Sequence, residues 1–172
     1  MHKSELIVQM LRARDDWEQL INFVGLSRVG IGGVSGHWSV KNIVAHVMSR
    51  EQHMADRLSE LARGGPVRKC QSRSALDAFV EEFGHPDFDS PLLSEEEANE
   101  WIFQKYRNAP MKELVADELH AFDLLLASLR LIPEETLDEL GLMPRVRHVT
   151  VEHYRLHAAD IRKRFKRPLR QL

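Results

Sequence analysis

Apolar residues recur along the chain in alternating steps of three and four, the period of a helix with one buried face. The first series, Leu6, Met10, Ala13, Trp17, Leu20, Ile21 and Val24, predicts a helix that Gly25 stops. Glycine then crowds the stretch 30–36, which reads as a loop closing on His37 and Trp38. Ser39 has the chemistry of an N-cap, and behind it Val40, Ile43, Val47, Met54, Leu58 and Leu61 predict a second long helix, broken by Gly64, Gly65 and Pro66. Farther on, Pro110 stands where a proline starts a helix. The apolar face that follows includes Leu114, Val115, Phe122, Leu125, Leu126 and Leu129, and it ends at Pro133. A last helix begins near Pro144 and runs through Val146, Thr150, His153, His157, Ile161 and Phe165 until Pro168.

Less regular are residues 66–93, where Pro66, Gly84, Pro86 and Pro91 surround one short helical pattern from Ala75 to Phe83. A long, partly mobile connection is expected there. Ser94 followed by Glu97 has the capping-box spacing and opens a segment with Ala98, Trp101, Ile102, Lys105 and Tyr106 on one face. No segment alternates with the period of a strand, and no repeat is evident. Four long amphipathic helices cannot bury their faces separately, so the expected fold is all-α, a four-helix bundle in one domain spanning 1–172. About 45 residues separate the second long helix from the third, enough for a crossover and hence for an up-up-down-down order.

Composition narrows what such a fold would do. With 24 Lys and Arg against 26 Asp and Glu, the net charge of -2 provides no global basic field for a phosphate backbone, so nucleic acid is not expected as a partner. The most apolar stretches, such as Leu124 to Leu129, are far too short to cross a bilayer, and Lys3, Glu5 and Arg12 interrupt any secretory h-region. A cytoplasmic protein with no membrane partner is the expectation. One cysteine, Cys70, rules out a disulfide framework. It reads as an exposed loop thiol with Arg68, Lys69 and Arg73 nearby and no base at a defined distance.

Other motifs fall to their context. Gly30-x-Gly32-x-x-Ser35 lacks its third glycine and follows a helix where a phosphate cradle requires a strand. Ser35 and Gly36 do not make a nucleophile elbow, because His37 occupies its last position. Arg162, Lys163, Arg164, Lys166, Arg167 and Arg170 read as cations complementing a helix C-terminus, and Glu95, Glu96, Glu97 and Glu100 as a solvated first turn.

Histidine is what remains, with nine in the chain. His153 and His157 are four apart, so two imidazoles share one helical face about 6 Å apart along the axis and can converge on one cation. Both lie in the apolar stripe between Thr150 and Ile161, where imidazoles without partners would be costly. A third ligand should come from another helix. His46, beside the buried stripe of the second helix, is the best candidate and His53 its competitor. The two are about 10 Å apart along that axis, so only one of them can belong. His120, flanked by Leu119 and Ala121, reads as a hydrogen-bonded histidine rather than a fourth ligand or a group orienting the ligands.

The segment Trp38-Ser-Val-Lys-Asn-Ile-Val-Ala-His46, a long helix ending in Gly64-Gly65-Pro66, and the distal His153-x-x-x-His157 followed by Ala158-Ala-Asp-Ile161 resemble the DinB-like superfamily over most of the chain. That group comprises four-helix-bundle metalloenzymes, bacillithiol and mycothiol S-transferases among them. The resemblance implies a metal site of His46, His153 and His157; nitrogen ligands of that kind suit zinc or nickel as the divalent ion. Asn42 and Asp160 are candidates for orienting those imidazoles, and Trp38 for lining the pocket mouth. The implied activity is transfer of a low-molecular-weight thiol, as co-substrate, to an electrophilic small molecule, with hydrolysis of a small substrate as the simpler chemistry. A different class of reading is a non-catalytic bundle that sequesters a small molecule or forms a stress-related homodimer around a vestigial metal site. Residues 66–93 match no motif of that group.

Overall fold

The computed structural model describes residues 1–67 and 69–166. Among them the chain is all-helical and has no strand; the single pairing of extended backbone is an isolated bridge between Ser35 and Trp38. Helix α1 is Lys3–Val24, α2 Val40–Ala62, α3 Arg73–Phe83, α4 Glu95–Tyr106, α5 Met111–Leu131 and α6 Glu134–Glu139. Helix α7, Leu142–Arg147, runs through a π-helical turn at His148–Glu152 into α8, His153–Phe165. No described helix is long and apolar enough to cross a membrane.

Helix ends follow local chemistry. Gly25 closes α1 with a positive φ of 74°, and its N–H reaches the Ile21 carbonyl at 3.1 Å. Ser39 caps α2 by accepting from the Asn42 N–H, and the Asn42 side chain returns to accept from the Ser39 N–H. Ser94 accepts from the Glu97 N–H at the start of α4. Pro110 is the N-cap of α5 rather than its first helical residue. Pro133 ends α5 as expected but also caps α6, a short helix that the apolar pattern does not reveal. The last helical rod starts two residues before Pro144. Its expected stop at Pro168, together with Arg167 and Arg170 of the basic run, lies outside the described residues.

Packing joins the long helices around one apolar cluster. α2 makes its most extensive contact with α5, α1 lies along α8 and the π turn, and α4 lies against α2. Leu6, Met10, Leu20, Ile43, Leu58, Leu114, Leu125 and Leu129 are fully buried in that cluster. At about 25 cal/mol per Å² of apolar surface, each such side chain contributes about 1.5–3 kcal/mol to folding. The core also carries a polar layer. Arg14 of α1 donates to Glu118 of α5, and the Tyr154 hydroxyl of α8 donates to Glu51 of α2, all four residues being buried. Trp17 stacks on Tyr154 at 5.4 Å and closes this layer from the α1 side.

Candidate metal centre

The capped start of α2 sets the phase of its helix and turns His46 inward, on the buried side with Ile43 and Val47. Across from it, α8 begins at His153 and brings His157 round one turn later on the same face. Nε2 of His46 and Nε2 of His153 are 2.9 Å apart, and one ligand nitrogen from each of His46, His153 and His157 lies within 4.8 Å of the others. Ring centroids are separated by 4.8 Å for His46 and His153, 5.3 Å for His46 and His157, and 4.7 Å for His153 and His157. Three nitrogens tetrahedrally disposed about 2.0–2.1 Å from a zinc ion would lie about 3.3 Å apart, within reach of this arrangement.

Hydrogen bonding points the same way. Nδ1 of His46, Nδ1 of His153 and both ring nitrogens of His157 are buried with no hydrogen-bond partner. Such orphaned groups cost free energy; an ion held between the facing Nε2 atoms of His46 and His153 would take up one nitrogen of His157 and relieve that part of the cost. Burial, and then the neighbouring His157 and Arg50, push the His46 imidazole down to about 3. Burial, His46 and His157 push His153 down to about 2. Burial lowers His157 as well, against the opposing field of Asp160. All three rings are therefore neutral near pH 7, the protonation state a metal ligand requires. The donor set of three imidazoles fits a divalent transition ion with at least one position open.

A cavity of about 560 Å³ opens onto this cluster, reached by His46 and His153 and flanked by Arg50, Met54, Phe88 and Val149. Its size is that of a small-molecule site.

Several expectations are corrected. Asn42 does not orient a ligand, because its side chain is committed to the Ser39 cap. Asn99 of α4 takes that place: it stands beside His46, and its Oδ1 is buried without a hydrogen-bond partner, as is His46 Nδ1. A proton on Nδ1 turned toward that oxygen would leave Nε2 free for an ion. Asp160 acts on His157 through its field and makes no hydrogen bond to it. Trp38 packs half-buried, its ring 5.2 Å from that of His46. His120 is exposed on α5 and is not the satisfied histidine expected. Cys70 is half-buried rather than exposed, and its N–H donates to Asp87 at 2.7 Å.

His53, the competitor, belongs to another group. Its Nε2 meets Asp87 Oδ1 at 2.9 Å, and Asp89 brings the ligand atoms of a second histidine and carboxylate cluster together. There, however, Asp87 is already saturated. Oδ1 also accepts from the Asp89 N–H at 3.1 Å, while Oδ2 takes the Cys70 N–H and the Arg57 guanidinium at 3.1 Å. These donors fasten the connection between α2 and α4 onto α2, assisted by His85, whose Nε2 lies 2.6 Å from Asp56. The connection reads as loop in the sequence because its anchoring residues lie far apart along the chain.

Comparison with protein-family models, with curated proteins and with solved structures gives no match to this chain.

Proposed function

We propose that His46, His153 and His157 hold a divalent transition metal, zinc or nickel, and that the protein is a metal-dependent enzyme of the DinB-like, four-helix-bundle type. The observation that carries this reading is the convergence of three neutral imidazoles from α2 and α8, His46 and His157 buried and His153 half-buried, with neither ring nitrogen of His157 hydrogen-bonded. When bound, such an ion lowers the pKa of a water or thiol and polarises an electrophile. The residues of the chain do the rest. Asn99 stands beside the His46 ring, placed to orient it, the cavity admits a small molecule from the side of His46 and His153, and Met54, Phe88 and Val149 supply apolar walls that limit water. The activity proposed is transfer of a low-molecular-weight thiol to an electrophilic small molecule, with hydrolysis as the simpler variant.

Elemental analysis of untagged protein tests the site. Near-stoichiometric zinc or nickel is expected, and His46→Ala and His153→Ala should each abolish it while the helical signal in circular dichroism persists. Full metal content in either variant would overturn the ligand assignment.

A further inference from the structure

Arg50 is the feature of this cavity that the metal reading leaves unused. It sits on α2 four residues after His46, one turn along the same face, which places it about 6 Å farther along the helix axis. Both side chains line the same cavity. The Arg50 guanidinium carbon lies 4.6 Å from the centroid of the Phe88 ring, over whose face the cation is attracted while its N–H donors remain for a ligand.

The neighbouring basic side chains are already engaged. Arg145 is bound to Asp89, and His148 meets Glu152 at 3.1 Å. Among the described residues no carboxylate makes an ion pair with Arg50, and Glu95 and Asp89 reach it only through space. A half-buried guanidinium held over an aromatic ring and without a paired anion is a recognition element for a planar anionic group, which it binds through two parallel N–H donors. The nearby Glu95 and Asp89 favour a singly charged group over a doubly charged one. Met54, Phe88 and Val149 complete the surroundings with apolar surface.

We infer that Arg50 selects the substrate: the cavity takes a small molecule whose carboxylate docks on Arg50 while a short apolar linker carries its reactive end to His46 and His153. This rests on the proposed metal site only for the identity of the reactive end. Arg50 is a binding and specificity residue, and its effect on the carboxylate is independent of the ion.

The probes are 3-mercaptopropionate and its neutral counterpart 3-mercaptopropionamide, titrated by nuclear magnetic resonance into zinc-loaded and metal-free protein. Wild-type protein should bind the carboxylate about tenfold or more tighter than the amide in both forms, the worth of one charge-assisted contact. Arg50→Met should erase that preference and leave amide binding unchanged, and Arg50→Lys should restore only part of it. Glu95→Gln, which leaves Arg50 in place, should tighten carboxylate binding alone. Equal affinity for the two probes in the wild type, a preference that survives in Arg50→Met, or tighter binding of inorganic phosphate than of the carboxylate would each overturn the inference. The thiol reading fails separately, if zinc adds nothing to the affinity of either probe while the carboxylate preference stands.

Discussion

Glu51 gives the sharpest test of the polar layer in the core. Its carboxyl is fully buried, one oxygen accepts from Tyr154, and the other has no partner. Burial, and then the field of Glu118, push its pKa well above the usual carboxylate range. Charge balance gives the same answer: among the described residues Arg14 is the one guanidinium bonded into this layer and it is bound to Glu118, so the second carboxyl stays protonated. A carboxyl with a raised folded-state pKa keeps a proton that the unfolded chain releases above about pH 4.5. Folding is therefore disfavoured, progressively, as pH rises from there toward the folded-state value, by about 1.4 kcal/mol per pH unit. Glu51→Gln mimics the protonated acid, since its amide oxygen can still accept from Tyr154, and it has nothing to titrate.

Absolute stability will not display this slope, because buried His46, His53 and His157 and half-buried His153 all have lowered pKa values and act in the opposite sense. They are neutral in the fold, protonate on unfolding below about pH 6.5, and so lose stability as pH falls. The difference between variant and wild type cancels them. Urea denaturation of metal-free protein in steps from pH 5 to 7 should show Glu51→Gln gaining on the wild type by about 1.4 kcal/mol per unit, about 3 kcal/mol over the range. Parallel curves, or a wild type that gains on the variant as pH rises, would mean that Glu51 is ionised in the fold and would refute the charge count.

Three further outcomes are expected. Arg14→Met strands the buried Glu118 carboxylate and should cost about 3–5 kcal/mol in urea denaturation at pH 8, most of it recovered in Arg14→Met/Glu118→Leu; an additive double variant would count against a mutual pair. Because His46 and His153 stay neutral down to about 3 and about 2 and burial lowers His157 as well, zinc affinity measured by chelator competition should fall with the titration of one ligand at most between pH 7 and 5.5; a fall steeper than tenfold per pH unit would contradict the burial argument. Asp87→Asn removes the acceptor shared by His53, Arg57 and the Cys70 N–H and should cost about 3 kcal/mol while zinc stoichiometry holds. Metal loss in that folded variant would show that the two histidine clusters are one site.

The long helices were legible because their apolar residues keep a single period over many turns, and the three histidines because their spacing puts them on buried stripes. The polar layer left a quieter trace in the same pattern. Position 51 continues the stripe of Ile43, Val47, Met54 and Leu58, and position 118 continues that of Met111, Leu114, Phe122 and Leu125, so a glutamate occupies a buried phase on both helices. A charged residue on the core side of a helical period signals partners on other helices, and the period alone is enough to reveal it. Asn99, Arg50 and Asp87 left no such trace. Asn99 and Asp87 act across elements through contacts distant in sequence, whereas Arg50 differs from an ordinary surface arginine only in what stands around it.

The π turn explains how one helical rod can serve both layers. Leu142, Val146, Thr150, Tyr154 and Ala158 are all buried at steps of four, and in an ideal α-helix each such step drifts by about 40° around the axis. Carried through five residues, that drift would turn the rod's later residues away from the core that its first residues face. A turn closed by i to i+5 hydrogen bonds takes up the extra residue at His148–Glu152 and resets the stripe just before His153. Tyr154 then keeps the buried phase and meets Glu51, while His153 and His157, flanking that stripe, face His46 and the cavity. The widened turn is thus the local cost of setting a buried tyrosine and two inward histidines on consecutive turns of one helix.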